Sequence, residues 1–250
     1  MILTINFLSK ELKKDTCVNI ILPNNISESE PFKTIWLLHG LMGDHTSWLR
    51  RSSIEGYVKN KNVAVVMPNV DRSWYTNTAY GINYFNFVAY ELPELMRSRF
   101  IGYSDKREDN VVAGLSMGGY GALKLALTCP MQYCSCISLS GSLDVTRKGR
   151  TYNIDEWRSI FGFDMVSAED LEGSEHDLFA LAQNNAATAL PFPKLYMWCG
   201  TEDTLLDINQ QYDELLTTLG VEHLFEYSEG DHSWIWWDKH IKDGLKYILD

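Results

Sequence analysis

The stretch VVAGLSMGGYGALKLA, residues 111–126, decides the fold of this chain. It begins as a short apolar run, typical of a strand buried on both faces, and ends in a helical pattern. Between the two lies Gly114-Leu115-Ser116-Met117-Gly118, a Gly-x-Ser-x-Gly motif. The motif alone occurs often by chance, but at a strand-to-helix junction it predicts a strained turn that presents Ser116 as a nucleophile. The alternative is a glycine-rich turn with an incidental serine.

Outward from this junction, short apolar runs alternate with longer amphipathic segments. We predict strands at 2–8, 17–22, 34–38, 63–67, 111–115, 134–139, 194–199 and 223–227, and helices at 84–100, 117–128, 204–219 and 234–249. This alternation predicts one α/β domain over residues 1–250, with a mostly parallel central sheet flanked by helices. The first two strands are separated only by a polar segment, so we expect them to form an antiparallel edge.

Residues 142–193 interrupt the alternation. They contain no convincing strand, but short helix-like pieces occur near 155–160, 168–171 and 177–183. An insertion between two sheet strands is expected to lie over the carboxyl edge of the sheet, where ligands bind in open α/β folds. We therefore predict a small helical cap, with an ordinary long crossover connection as the alternative.

A serine hydroxyl needs a base before it can attack a carbonyl carbon. His232 lies between the last predicted strand and the final helix. This position matches the chain order serine, acid, histidine that accompanies a nucleophile elbow in the α/β-hydrolase fold. We therefore predict His232 as the general base.

The acid is expected after the strand that precedes this histidine. That strand ends in Gly200-Thr201-Glu202-Asp203, and the turn would leave Asp203 at the tip of the loop, within reach of the imidazole. Its predicted role is to fix the histidine tautomer and stabilise the imidazolium. Glu202 is expected to be a solvated neighbour, and Asp207 and Asp231 remain outside candidates.

An oxyanion intermediate needs two N–H donors, one after the nucleophile and one from the loop after an earlier strand. We predict these donors to be the amides of Met117 and Leu41. His39, which begins the glycine-containing segment HGLMG at 39–43, is expected to brace that loop by hydrogen bonding.

Aromatic residues are frequent in the loops expected around this site. We predict that Trp74 and Tyr75 form a wall of the acyl pocket and that Tyr80 and Trp234 also bind substrate. Bulky walls would favour short acyl chains. The predicted mechanism requires no metal and no organic cofactor.

Charge and cysteine content indicate which partners and which cellular compartment to expect. The formal net charge is −11, which argues against nucleic acid as a partner, because phosphate-binding surfaces need clustered Lys and Arg. The five cysteines form no metal-binding pattern, and we expect them to be reduced core residues of a cytoplasmic protein. We also expect no secretion signal and no membrane-spanning segment.

Further motifs accompany the serine turn: LLHG at 37–40, SWL at 47–49, VMPN at 66–69, WYT at 74–76, ELP at 91–93, WCGTED at 198–203 and GDH at 230–232. Together they resemble the tributyrin esterase and esterase D-like branch of the α/β-hydrolases, as found in lactic-acid bacteria and streptococci. The resemblance covers nearly the whole chain. It implies a triad of Ser116, Asp203 and His232, hydrolysis of short-chain acyl esters including acetyl groups on sugars, and a homo-oligomer.

Three other functions stay open at this point. S-formylglutathione hydrolases belong to the same superfamily, and Asp231-His232-Ser233 fits them, but their loop typically reads SGLTC where this chain has HGLMG at 39–43. A non-catalytic binding protein could use the same fold. An acyltransferase would use the same triad with an alcohol acceptor in place of water.

Overall fold

The computed structural model describes residues 1–24, 30–148, 154–162 and 171–249. The strands are β1 (Ile2–Ser9), β2 (Lys14–Ile21), β3 (Lys33–Leu38), β4 (Val63–Pro68), β5 (Asn110–Leu115), β6 (Ser135–Leu139), β7 (Lys194–Gly200) and β8 (His223–Ser228). The helices are α1 (Ser47–Arg51), α2 (Ile54–Val58), α3 (Tyr84–Asn86, Phe87–Glu91 and Leu92–Arg99), α4 (Met117–Thr128), α5 (Val145–Lys148), α6 (Ile154–Phe161), α7 (Leu178–Ala187), α8 (Leu206–Thr218) and α9 (Trp234–Leu249).

The strands form one sheet in the order β1-β2-β4-β3-β5-β6-β7-β8. The pairs β1–β2 and β2–β4 are antiparallel, which confirms the predicted antiparallel edge, and the remaining neighbours are parallel. Because β3, β5, β6, β7 and β8 run in the same direction, the loops that follow them all emerge at one edge of the sheet. The site is built at this carboxyl edge.

Both faces of the sheet are buried, and this explains why its central strands are apolar without alternation. In β3, Ile35 and Leu37 belong to one core cluster, whereas Trp36 and Leu38 belong to the other. Successive side chains of a strand point to opposite faces, so a run buried on both sides is apolar throughout. Helices α1, α2 and α9 contribute side chains to the first cluster, and α4 and α7 to the second.

The predicted strands and helices are present, with differences at their ends. Strand β2 begins at Lys14 instead of residue 17, because its pairing with β1 continues through polar residues to Ser9. Helices α1 and α2 were not predicted, since five residues are too few to show a helical period. Helix α3 contains a π-helical turn over Phe87–Glu91 just before Pro93, which has no N–H for an α-helical hydrogen bond.

The cysteines differ in part from the prediction. Cys129, Cys136 and Cys199 are buried, but Cys17 and Cys134 are partly exposed. The thiol of Cys17 donates to the side chain of Asn6 on the neighbouring edge strand, where the sheet has one solvated face. All five thiols are free.

Residues 142–193 contain α5, α6 and α7 in their described part. Two of the predicted helical pieces correspond to α6 and α7, whereas the piece near 168–171 lies outside the described residues apart from Leu171. None of the helices in the described ranges has the length and apolar character needed to cross a bilayer.

Candidate active site

Ser116 occupies the sharp turn between β5 and α4. Its backbone adopts φ 54° and ψ −119°, a conformation that is strained for any residue with a side chain. A Cβ atom on Gly118 would lie 2.5 Å from the Leu38 carbonyl oxygen, and one on Gly114 would lie 2.2 Å from the Gly118 carbonyl oxygen. Both motif glycines are therefore required by close backbone approach, and the turn holds the Ser116 side chain at the end of the strand.

His232 lies in the loop between β8 and α9, directly beside this serine. Its Nε2 atom is 2.9 Å from Ser116 Oγ, although the two residues are 116 positions apart in the chain. The edge of its ring packs against Trp237, with the centroids 4.8 Å apart. A histidine at this distance can accept the hydroxyl proton of the serine.

Asp203 lies on the other side of the imidazole, in the loop after β7. Its Oδ2 atom is 2.8 Å from His232 Nδ1, and its Oδ1 atom accepts a hydrogen bond of 2.9 Å from the Leu205 amide. Burial opposes ionisation of this carboxyl, but hydrogen bonds from His232 and Leu205 outweigh it and lower the pKa of Asp203. An ionised Asp203 keeps the proton on Nδ1 and leaves Nε2 free to act as a base.

Residues 39–43, which follow β3 and are here called the glycine loop, lie next to Ser116. A Cβ atom on Gly40 would be 3.5 Å from the Ser116 Cβ. His39 braces the loop: its Nδ1 is 2.8 Å from the Gly40 carbonyl oxygen, and its Nε2 accepts from the Val70 amide at 3.1 Å. Burial lowers the pKa of His39, which favours the neutral ring that this donor and acceptor pattern needs.

The two amides predicted as oxyanion donors are those of Leu41 and Met117. Neither of them donates a hydrogen bond to a partner within the described part of the chain. The carbonyl of Gly40 is held by His39 and also accepts from the Gly43 amide at 2.9 Å. Since C=O and N–H point in opposite directions across a trans peptide, this directs the Leu41 N–H away from His39. The Met117 N–H is the first of helix α4, where the helix dipole favours negative charge.

Comparisons with known proteins assign the chain to a family. Residues 9–248 match the model of the Esterase family, whose description is "Putative esterase". The chain belongs to this family. The esterase is 34% identical to an acetyl esterase of Caldicellulosiruptor saccharolyticus over 266 residues, which cover 99% of this chain and 97% of that protein.

Two solved structures are similar to the esterase over its full length. The fluorophosphonate-binding serine hydrolase FphF of Staphylococcus aureus, in a substrate-bound structure, is 33% identical with a TM-score of 0.93 and covers 100% of this chain and 98% of that one. The S-formylglutathione hydrolase FrmB of Staphylococcus aureus is 33% identical with a TM-score of 0.90, over 100% and 99% of the two chains. The α/β fold and the class of serine ester hydrolase are thereby shown.

Ser140 and Trp237 support the esterase site, and sequence analysis did not identify them. Trp237 Nε1 donates to Ser140 Oγ at 3.0 Å, and the Ser140 hydroxyl makes a small contribution to the lowered pKa of Asp203. Trp237 also packs against the His232 ring. One signal was available, because Ser140 directly follows β6 and therefore lies at the same edge of the sheet as Ser116.

Glu202 is more than a solvated neighbour. Its carboxylate accepts from the Gly230 amide at 2.6 Å, and its own amide donates to the Gly230 carbonyl oxygen at 2.9 Å. These bonds fasten the loop that carries Asp203 to the loop that carries His232. The two other candidates for the acid accept hydrogen bonds elsewhere, Asp207 from Gln211 and Asp231 from Ser233.

Of the four aromatic residues predicted to bind substrate, Trp74 and Tyr75 are both buried, which differs from the expectation. The Tyr75 side chain is 0% exposed, so it presents no surface to a ligand. Instead its hydroxyl donates to the His39 carbonyl oxygen at 2.8 Å and supports the glycine loop from the interior of the protein. The polar residues around Tyr75 indicate an exposed loop, and for Tyr75 that indication is wrong.

The other three aromatic residues occupy different environments. Trp74 is buried, with its ring edge-on to Trp157 at 5.2 Å. Tyr80 is 57% exposed. Trp234 is partly buried two residues after His232, where it packs edge-on against Trp48. Across the described ranges, no three His, Cys, Asp or Glu side chains are arranged as metal ligands.

Proposed function

We propose that this esterase is a carboxylesterase that hydrolyses short-chain acyl esters through Ser116, His232 and Asp203. The observation that carries the proposal is the continuous series of hydrogen bonds from the buried Asp203 carboxylate through the imidazole to the Ser116 hydroxyl. This is the arrangement of nucleophile, base and orienting acid that activates a serine.

The reaction proceeds in two acyl transfers. His232 Nε2 takes the hydroxyl proton while Ser116 Oγ attacks the ester carbonyl carbon, and the carbonyl oxygen becomes an oxyanion. This oxyanion accepts from the Leu41 and Met117 amides, neither of which donates to another group in the described part of the chain. The intermediate collapses when His232 returns the proton to the departing alcohol. Water then attacks the acyl-serine with the same base, which releases the carboxylic acid and restores Ser116.

Two observations support a preference for short acyl chains. A relative 34% identical to this chain is named an acetyl esterase. In addition, Trp74, Tyr120 and Trp157 pack together and are buried beside the nucleophile turn, Tyr120 being one helical turn after Ser116. A region filled with aromatic rings leaves little space for a long hydrocarbon chain. With this preference for short acyl chains, we assign the esterase to the tributyrin esterase and esterase D-like subtype.

We also infer that residues 142–193 form a small cap within a single domain. Two hydrogen bonds between side chains and carbonyl oxygens support this: the Tyr120 hydroxyl to His176 at 3.0 Å, and the Asn185 amide to Leu127 at 2.8 Å. Both join the inserted segment to helix α4. The five free thiols favour a reducing, cytoplasmic compartment.

Hydrolysis of S-formylglutathione is the second candidate, favoured by the 33% identity to FrmB. A thioester carbonyl could be attacked by the same serine. Against it stands the net charge of −11, since glutathione carries two carboxylates that a binding site must accommodate.

The test is the hydrolysis of p-nitrophenyl acetate, butyrate, octanoate and palmitate, with S-formylglutathione in parallel. Wild type is compared with Ser116→Ala and with Ser98→Ala, a control that removes an exposed serine on α3. We expect kcat/KM to fall with chain length, and activity to vanish only in Ser116→Ala. A fluorophosphonate probe should add its mass to wild type and not to that variant.

Other outcomes contradict specific parts of the proposal. Activity that survives Ser116→Ala refutes the nucleophile. Equal rates on acetate and palmitate refute the short-chain preference. A kcat/KM for S-formylglutathione far above that for the acetate ester identifies a thioesterase.

A further inference from the structure

Helix α4 carries an ammonium group in the interior of the protein. Lys124 lies two helical turns after Ser116 on this otherwise apolar helix and is only 3% exposed. A methionine would fill a similar volume without the penalty of removing an amine from water. The position of this amine and its contacts therefore point to a role in the site.

The Nζ atom of Lys124 joins three separate segments of the chain. It donates to Thr76 Oγ1 at 2.8 Å, and it lies 3.0 Å from His176 Nδ1. Thr76 belongs to the loop after β4, and His176 to the segment just before α7. Since Lys124 is itself on α4, one amine fastens both of these segments to the helix that begins at the nucleophile.

Thr76 connects the amine to the glycine loop. Its hydroxyl donates in turn to the Trp74 carbonyl oxygen at 3.0 Å, so it is fixed at both ends. Tyr75, the residue between them, has a strained backbone with φ 51° and holds the His39 carbonyl through its hydroxyl. Loss of the Lys124 contact would free the segment that supports the glycine loop. The Leu41 amide of that loop would then no longer be held in one direction.

Within the described ranges, no carboxylate contacts the amine of Lys124. The aromatic rings of Phe85 and Tyr120 lie with their centroids 5.6 and 5.7 Å from Nζ. The nearest acidic influence comes from Glu175, whose side chain is 75% exposed and which lies 3.7 Å from His176 Nε2. Burial lowers the pKa of Lys124 to about 7 and, together with the charge of Lys124, lowers that of His176 to about 3. The amine is thus held by hydrogen bonds and ring faces.

We propose that Lys124 is a positioning residue for ester hydrolysis, which sets the orientation of the glycine loop through Thr76 and Tyr75. The proposal rests on the proposed function, because it assigns the Leu41 amide of that loop to the oxyanion. Lys124 touches no reacting atom and acts only through the segment it holds.

The experiment is a double-mutant cycle on p-nitrophenyl acetate with Lys124→Met, Tyr75→Phe and the combined variant. Lys194→Met is the control, since Lys194 also donates a hydrogen bond through its amine and faces a tyrosine ring but lies exposed at the opposite end of the sheet from Ser116. We expect each single variant to lower kcat about tenfold to a hundredfold with little change in KM, less than the loss of a whole oxyanion donor. The combined variant should lose no more than the larger single loss, because both changes release the same segment.

A second readout separates positioning from general damage. A trifluoromethyl ketone forms an oxyanion on Ser116, so its inhibition constant should rise by the same factor as kcat falls, whereas a product carboxylate should bind as before. Thermal denaturation and near-ultraviolet circular dichroism establish that each variant is folded. If Lys124→Met does not fold, Thr76→Val removes the other end of the same hydrogen bond with almost no change in volume and should show the same loss.

Three results would overturn the proposal: wild-type kcat in Lys124→Met, wild-type kcat in Thr76→Val, or losses that multiply in the combined variant. The Ser116→Ala variant distinguishes this failure from failure of the proposed function. If Ser116→Ala is inactive while Lys124→Met retains wild-type kcat, only the role of Lys124 is refuted.

Discussion

The buried amine of Lys124 predicts an unusual dependence of stability on pH. Lysine titrates near 10.5 in an unfolded chain, whereas burial lowers the pKa of Lys124 in the fold to about 7. One pKa unit corresponds to about 1.4 kcal/mol, so charging this amine costs the folded protein about 5 kcal/mol below pH 7. Because the folded pKa is the lower of the two, the penalty is complete below pH 7 and declines as the pH rises towards 10.5.

Substitution Lys124→Met removes this titration. It also leaves Thr76 and His176 without a donor, which costs about 1–3 kcal/mol for each buried group at every pH. The difference in the free energy of unfolding between wild type and Lys124→Met at one pH is therefore less informative than the change in that difference between two pH values. We expect the free energy of unfolding of wild type, taken relative to that of Lys124→Met, to rise by about 3 kcal/mol between pH 6 and pH 9.

Urea unfolding followed by tryptophan fluorescence measures this difference, with Lys194→Met as the control that should follow wild type at both pH values. The variant and wild type must unfold with similar denaturant slopes for the comparison to hold. Parallel stability curves for wild type and Lys124→Met would refute the reasoning, since they would mean that the amine titrates at its ordinary pKa in the folded protein.

Three further substitutions test the site, and a fourth, Gly56→Ala on helix α2, serves as a control outside it. Asp203→Asn should lower kcat about a thousandfold or more without loss of the folded state, because the His232 tautomer is no longer fixed, and a loss below tenfold in steady-state assays would contradict this. Gly118→Ala should lower the free energy of unfolding by about 3 kcal/mol, since its Cβ would overlap a carbonyl oxygen. Gly56→Ala, whose Cβ would meet nothing within 4 Å on helix α2, should instead stabilise by up to about 1 kcal/mol, and equal urea midpoints for the two variants would be inconsistent with this difference. Ser140→Ala should reduce kcat about tenfold at unchanged KM, because the Ser140 hydroxyl accepts from Trp237 and helps to lower the pKa of Asp203, and a purely KM effect would argue against that role.

Local pattern and chain order were sufficient to predict the sheet, most helices and the three residues at the centre of the site. The strand, turn and helix over residues 111–126 are each specified by neighbouring residues, so Ser116 could be placed without tertiary information. His232 and Asp203 could be predicted because parallel strands bring their following loops to one edge of the sheet.

Residues that act across the fold could not be predicted in this way. The bonds from Tyr75 to His39 and from Trp237 to Ser140 join residues 36 and 97 positions apart. Neither bond is reflected in a periodic pattern, because it depends on how packed elements meet. For the same reason Tyr75 was predicted at the surface of the site, when it supports the glycine loop from the interior.

Lys124 shows the division most clearly. In the sequence it is a single lysine on an apolar helix, and such a residue ordinarily reaches solvent with its amine. Only the tertiary structure decides that the loop after β4 and the segment before α7 close over it and provide partners for its amine. The sequence by itself therefore determined the fold and the three residues that the structure brings within hydrogen-bonding distance of one another, which depend on local conformation and strand order. The tertiary structure decided which side chains hold those residues in place, because such contacts arise only when distant segments pack together.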